Sequence, residues 1–164
     1  MSTSSEKQPH TLPIKGPFTP EKLMTFLSRP LIARFATVSP EGKPHVVPVW
    51  FEWDGSHLWV TIDRRSRKYR NMVANPYCAV TIDESWGGLR FIGVIFEGPV
   101  ELIEQPEEWA RDFVRKVYAK YMGEEGLAAR TIQRMINEGQ HVVVKVIPDK
   151  ILTWDDTSGP APAG

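Results

Sequence analysis

Two tight-turn signals separate three runs rich in β-branched and aromatic residues. The runs are LIARFATV from Leu31, HVVPVWFEW from His45 and HLWVTID from His57. Between the first two lies Ser39-Pro40-Glu41-Gly42, with proline set for a tight turn and a glycine free to take positive φ. Between the second pair lies Asp54-Gly55, a two-residue hairpin signal. Strands joined this tightly must run antiparallel, so this stretch is expected to fold as an antiparallel meander.

The flanking segments read as follows. TPEKLMTFLSRP predicts a short helix, with Thr19 as cap, Pro20 and Glu21 in the first turn, and Leu23, Met24 and Leu27 on one face. SRKYRNMVANP predicts a second helix, from a Ser66 cap to a stop before Pro76. YCAVTID and LRFIGVIFEGPVELI are strands. Gly93 and Gly98 in the longer one suggest bends or the close approach of another backbone. A helix is expected from about Pro106 to Tyr121, with Trp109, Phe113 and Val117 as its apolar stripe and Gly123 as its end. Leu127 to Asn137 predicts one more helix, and HVVVKVI and KILTW close the chain as strands. The expectation is a mainly β fold, an antiparallel and nearly closed barrel with peripheral helices. Residues 1–17, with Pro9, Pro13 and Pro17, read as a flexible N-terminal arm, 18–156 as one domain, and 157–164 as a disordered tail.

Charge narrows the function classes. Lys and Arg total 20 and Asp and Glu total 20, so the chain is formally neutral and not a protein coated with basic charge for nucleic acid. No apolar run is long enough to span a bilayer. The opening MSTSSEKQPHTLP lacks the apolar region of a secretory signal, so a cytoplasmic location is expected. A single cysteine, Cys78, excludes an internal disulfide and reads as a small buried thiol. Four scattered histidines make a weak metal case, and no metal site is expected.

One charge feature is concentrated. Residues 63–70 read DRRSRKYR, placing Arg64, Arg65, Arg67, Lys68 and Arg70 beside one acid, Asp63. Arg67 and Lys68 fall in the first turn of the helix capped by Ser66. Cations there oppose the helix dipole, at about 0.3–1 kcal/mol each when exposed. An anion would reverse that penalty by accepting backbone N–H groups, the serine hydroxyl and both cations. Ser66, Arg67 and Lys68 therefore read as a phosphate site, with a solvated basic turn and a nucleic-acid patch as the alternatives. Pro48 interrupts the second meander strand. It belongs either at a sheet edge or where the backbone borders a ligand. No nucleophile elbow, Walker loop or dinucleotide fingerprint occurs, so an enzyme built this way would rely on a bound organic cofactor.

Three stretches, ATVSPEGKPHVVPVWFEWDG, LWVTIDRRSRKYRNMVANPYCAVTID and IPDKILTWD, together resemble the pyridoxamine 5′-phosphate oxidase-like flavoproteins, the FMN-binding split-barrel family. The resemblance covers about Leu23 to Asp155. It implies a split β-barrel homodimer with cofactor at the subunit interface. It implies that Val47, Pro48, Val49 and Trp50 border the isoalloxazine and that Val60 and Thr61 line the same wall. By the same likeness Ser66, Arg67 and Lys68 hold the ribityl phosphate, and Trp154 approaches the flavin from the second chain. The pattern departs from true vitamin B6 oxidases. Val47 replaces a basic residue, Glu52 replaces the lysine that meets the substrate phosphate, and Gly93 stands where they carry an amide side chain. Vitamin B6 oxidation is therefore not expected. FMN is the expected cofactor. A deazaflavin cofactor, whose longer anionic tail Arg64, Arg65 and Arg70 could serve, is the alternative. The expected activity is hydride transfer to or from a small, partly apolar organic substrate, with a non-enzymatic cofactor-binding module as the rival. No general acid or base is assigned. Thr61 is the ring hydrogen-bonding candidate, and no nucleic-acid or membrane partner is expected.

Overall fold

The computed structural model describes residues 12–87 and 89–160. In chain order the elements are β1 (Ile14–Lys15), α1 (Pro20–Leu27), β2 (Ala33–Val38), β3 (Pro44–Val49), β4 (Phe51–Trp53), β5 (Leu58–Asp63), α2 (Arg67–Ala74), β6 (Tyr77–Ser85), β7 (Phe91–Ile103), α3 (Glu107–Leu127), α4 (Arg130–Glu138), β8 (His141–Val146) and β9 (Lys150–Asp155). Strand alternation sorts the side chains. Ala33, Phe35 and Thr37 on β2 and Leu58, Val60 and Ile62 on β5 are buried, while Trp59, Thr61 and Asp63 face the other way.

The sheet runs β3-β2-β6-β7-β8-β5-β4, with β9 also paired to β7. All pairings are antiparallel except that of β1 with β9. Strand β7 spans both halves. Ile92–Glu97 pair with β9, and Val100–Ile103 pair with β8. Gly98 stands at the transition, where a Cβ would overlap the Ile147 carbonyl oxygen. The two ends of this strand path, β3 and β4, are consecutive in sequence but not paired with each other. The chain steps from one edge to the other through Trp50, and this step is the split in the barrel. Pro48 thus lies on an edge strand, opposite Arg34 of β2. The core is continuous from Phe35, Val80, Ile82, Val94 and Phe96 to Phe51, Leu58, Val60 and Val144.

Several details differ from the sequence reading. HVVPVWFEW, expected as one strand of a continuous meander, is divided at Trp50 into β3, paired with β2, and β4, paired with β5. Ile14 and Lys15, within the expected arm, pair in parallel with Ile151 and Leu152. Helix α1 buries Phe26 with Leu23 and Leu27, whereas Met24 is exposed. The buried stripe of α3 is Ala110, Val114 and Val117, because Trp109 and Phe113 lean outward onto Trp59. Gly123 does break α3, at φ 66° and ψ 178°, but helical turns resume beyond it. Residues 1–11 of the expected arm and 161–164 of the expected tail lie outside the described residues. Among the described residues, no helix is long and apolar enough to cross a membrane.

Candidate functional site

Helix α2 begins where β5 ends. Asp63 turns the chain, its carboxylate accepting from the Arg65 N–H at 2.7 Å. The Ser66 hydroxyl then accepts from the Tyr69 N–H at 3.3 Å, capping the helix. The charges in this turn divide into two sets. Arg64 pairs with Glu104, and Arg65 pairs with Asp63 at 2.7 Å. The Arg70 guanidinium donates to the Arg65 carbonyl at 2.8 Å. Arg67 and Lys68 have no acidic partner within ion-pair distance among the described residues. Lys68 is half-buried, and burial holds its ammonium below the usual lysine pKa despite the nearby Asp63 charge. An unpaired, partly desolvated ammonium beside a guanidinium costs free energy that a bound anion would recover.

A second group of residues fixes the split. Helix α3 crosses the step between β3 and β4 and grips it with three side chains. The Tyr121 hydroxyl donates to the Leu31 carbonyl at 2.6 Å and accepts from the Phe51 N–H at 3.2 Å. The Lys120 ammonium donates to the Leu27 carbonyl at 2.8 Å and stands 3.8 Å from Glu52. Tyr118 meets the Trp50 indole edge-on at 4.9 Å. Burial pushes the Tyr121 phenol up to about 12 and raises that of Tyr118 as well. Both phenols therefore remain protonated at neutral pH. Beside this grip a cavity of about 590 Å³ opens over the outer face of β5, lined by Thr61, Asp63, Arg65, Tyr118, Met135 and His141 among others.

Trp154 occupies a different place. It pairs with Gly93 across β9 and β7, and Gly93 pairs with Asp83. A Cβ at Gly93 would overlap both the Trp154 indole and the Asp83 Cβ, so the glycine makes a slot for the ring. The indole Nε1 is buried and has no hydrogen-bond partner among the described residues. Strand register puts this row at the Val49 end of the half-sheet, whereas α2 packs against its other end, where Asn71 donates to Thr37.

The expected site residues therefore fall into separate groups. Ser66, Arg67 and Lys68 come together at α2. Val47 and Val49 are half-buried on one face of the edge strand, Pro48 is exposed on the other, and Trp50 forms the step into β4. Thr61 lines the cavity, while the fully buried Val60 side chain faces the core and leaves only its backbone to a ligand. Trp154 is not brought to Ser66–Lys68 within one chain. Sequence reasoning missed Tyr118, Lys120 and Tyr121. Their signal was two tyrosines three residues apart, which share a helix face. Cys78 is buried, which pushes its thiol up to about 12. Among the described residues, no three or more His, Cys, Asp or Glu side chains gather as a metal site.

The model of the family described as pyridoxamine 5′-phosphate oxidase matches residues 19–155. A solved structure of an F420 reductase is 31% identical, covering 77% of this chain and 93% of its own, with a TM-score of 0.59. The conserved hypothetical protein Rv2991 from Mycobacterium tuberculosis shares the fold at a TM-score of 0.74 and 21% identity, over 90% of this chain and 92% of its own. A curated relative, the 5a,11a-dehydrotetracycline/5a,11a-dehydrooxytetracycline reductase of Streptomyces rimosus, is 40% identical over 72 residues. Those residues are 42% of this chain and half the length of that reductase.

Proposed function

Because the chain belongs to the pyridoxamine 5′-phosphate oxidase family, we propose that it is an oxidoreductase moving a hydride between a deazaflavin cofactor and a small organic substrate. The observation that carries the cofactor site is the Arg67–Lys68 couple beside the Ser66 cap, without an acidic partner among the described residues. It suits the anionic tail of either cofactor, and the choice of deazaflavin rests on the likeness to the F420 reductase. Ser66, Arg67 and Lys68 hold the anionic tail. The backbone of Val47, Val49 and Trp50 borders the ring, and Pro48 removes an N–H from that edge. Thr61 offers its hydroxyl from the cavity wall, and Val60 contributes backbone only. When reduced, such a cofactor supplies the hydride. The remaining work of the chain is to bind, orient and exclude water.

The likeness to the F420 reductase across most of the chain supports the deazaflavin. FMN is the second reading, and a specific observation favours it. Glu104 and Asp63 neutralise Arg64 and Arg65, which leaves a cation pair suited to a single phosphate. A homodimer completes either reading. Trp154, half-buried in its own chain, would then approach the ring from the second chain with the exposed part of its indole. Vitamin B6 phosphates fit poorly as substrates, because Glu52 brings a carboxylate next to Trp50, with Lys120 3.8 Å away.

The test is the absorbance and mass of the chromophore that co-purifies, followed by equilibrium titration of the stripped protein with F420 and with FMN. A single visible band and micromolar or tighter F420 affinity are expected. Tight FMN binding alone selects the second reading, and failure of the folded protein to bind either removes both.

A further inference from the structure

Beyond the residues already assigned, one basic group stands beside the phosphate cluster without a partner. His45 lies on the edge strand β3, directly opposite Thr37 of β2. The Thr37 hydroxyl accepts a buried hydrogen bond from Asn71 at 3.0 Å, which pins α2 against this point of the sheet. Asn71 is one turn after Arg67 on the same helix face, so the first turn of α2 stands alongside His45. The imidazole is half-buried and makes no hydrogen bond or ion pair among the described residues. Every neighbouring element contributes charge. Arg67 and Lys68 come from α2, and the exposed Lys43 precedes β3. Glu41, from the β2–β3 turn, is engaged by the Ser39 hydroxyl at 2.7 Å. Asp63, at the end of β5, is engaged by Arg65 at 2.7 Å. His45, Arg67 and Lys68 thus share the helix start without an ion pair among the described residues, although the Glu41 and Asp63 carboxylates still offset part of their charge.

We propose that His45 is a third basic contact for the anionic tail of the cofactor, and that it takes up a proton when that tail binds. The inference rests on the cofactor reading above and adds both a ligand and a linkage to it. Burial, with the charges of Arg67 and Lys68, holds the imidazole below its usual pKa and leaves it largely neutral at pH 7. An anion seated among the three groups reverses the local potential and favours the imidazolium. The sign follows from linkage. The added affinity is complete below the pKa of His45 in the free protein and fades as pH rises through its higher pKa in the complex. One proton limits the slope to about tenfold in affinity per pH unit.

Isothermal titration of the stripped protein with FMN, and in parallel with F420, reads this directly when repeated in buffers of different ionisation enthalpy. Wild-type protein at pH 7 is expected to take up a fraction of a proton that His45→Gln does not. The variant should bind about three- to tenfold more weakly at pH 6 and equally at pH 9. The phosphate of FMN also titrates, near pH 6. That contribution is common to both proteins, so the difference belongs to His45, and riboflavin, which lacks the phosphate, should show no difference. His45→Asn serves as a second variant, with circular dichroism confirming the fold of each. Equal proton uptake and equal pH profiles in wild type and variants overturn the role of His45 and leave the cofactor site standing. Absence of binding by either cofactor to the folded wild type overturns the site itself, and the inference with it.

Discussion

The Trp50 indole lies flat on the Tyr121 ring, with centroids 4.8 Å apart and planes 8° from parallel. Trp50 is where the chain leaves one sheet edge for the other, so this stack pins the split of the barrel to α3. The Tyr121 hydroxyl adds partners from two other segments, at Leu31 and Phe51. Replacing Tyr121 with Phe keeps the stack but strands the Phe51 N–H and the Leu31 carbonyl. A loss of about 1–3 kcal/mol is expected in urea unfolding, the cost of burying unpaired polar groups. An unchanged midpoint would mean that water replaces the hydroxyl freely.

Gly93 and Trp154 form a second dependent pair. Gly93→Ala forces a methyl into the indole and the Asp83 Cβ, and about 1–3 kcal/mol of destabilisation is expected from overpacking. Trp154→Ala in the same chain should relieve most of it. The double-mutant cycle would then show strong coupling, and additive costs would contradict the slot.

The double change Arg67→Ala and Lys68→Ala is expected to abolish cofactor retention while leaving the circular dichroism spectrum unchanged. Affinity of the wild type should also fall as salt rises, since exposed charges are screened within about 8–10 Å at moderate ionic strength. Undiminished affinity in the double variant counts directly against the phosphate assignment.

Acid stability should depend on Asp155. Hydrogen bonds from Lys22 and from the hydroxyl and N–H of Thr157 hold its carboxyl down to about 2, against an ordinary 3.8. A carboxyl depressed in the folded state contributes stability above its unfolded pKa and loses it as pH falls through the folded value. Asp155→Asn should therefore flatten the decline of stability between about pH 4 and pH 2. A parallel decline in variant and wild type would remove the effect.

Cys78 offers a test of burial. With its thiol pushed up to about 12 and only 2% of its surface exposed, it should resist thiol reagents in the native protein and react fully in denaturant. Fast native labelling would show that the β6 packing opens readily.

The parts of this fold legible in the sequence are those fixed over a few residues. The Ser39–Gly42 turn, the Thr19 and Ser66 caps and the alternation of β5 each follow from local chemistry, and the structure contains them. The hairpin read at Asp54-Gly55 is there too, but its turn centres on Gly55-Ser56 and is closed by Asp54 and His57. The basic turn was legible as a cluster, but which of its cations lack partners was not. Glu104 and Asp63 make that division, and Glu104 arrives from the far end of β7. The α3 grip was hidden for the same reason, because Tyr121 finds its partners at Leu31 and Phe51, distant in sequence. Val117 of the α3 stripe is buried as expected, but Trp109 and Phe113 were each one position off, because tryptophan and phenylalanine can cover a rim as well as fill a core. Trp59 draws Trp109 and Phe113 to that rim.

The helical excursion departs from the sheet at Ile103 and rejoins it beside that point, where Ile103 pairs with Val143. Its two ends are stitched together, so the segment behaves as a cassette. The join itself lies within the sheet, so the segment can vary wherever Tyr118, Lys120 and Tyr121 do not tie it back to the split. Exchange of this one module, with the strands untouched, is the simplest route by which such a scaffold could acquire a differently shaped chamber above the Thr61 floor.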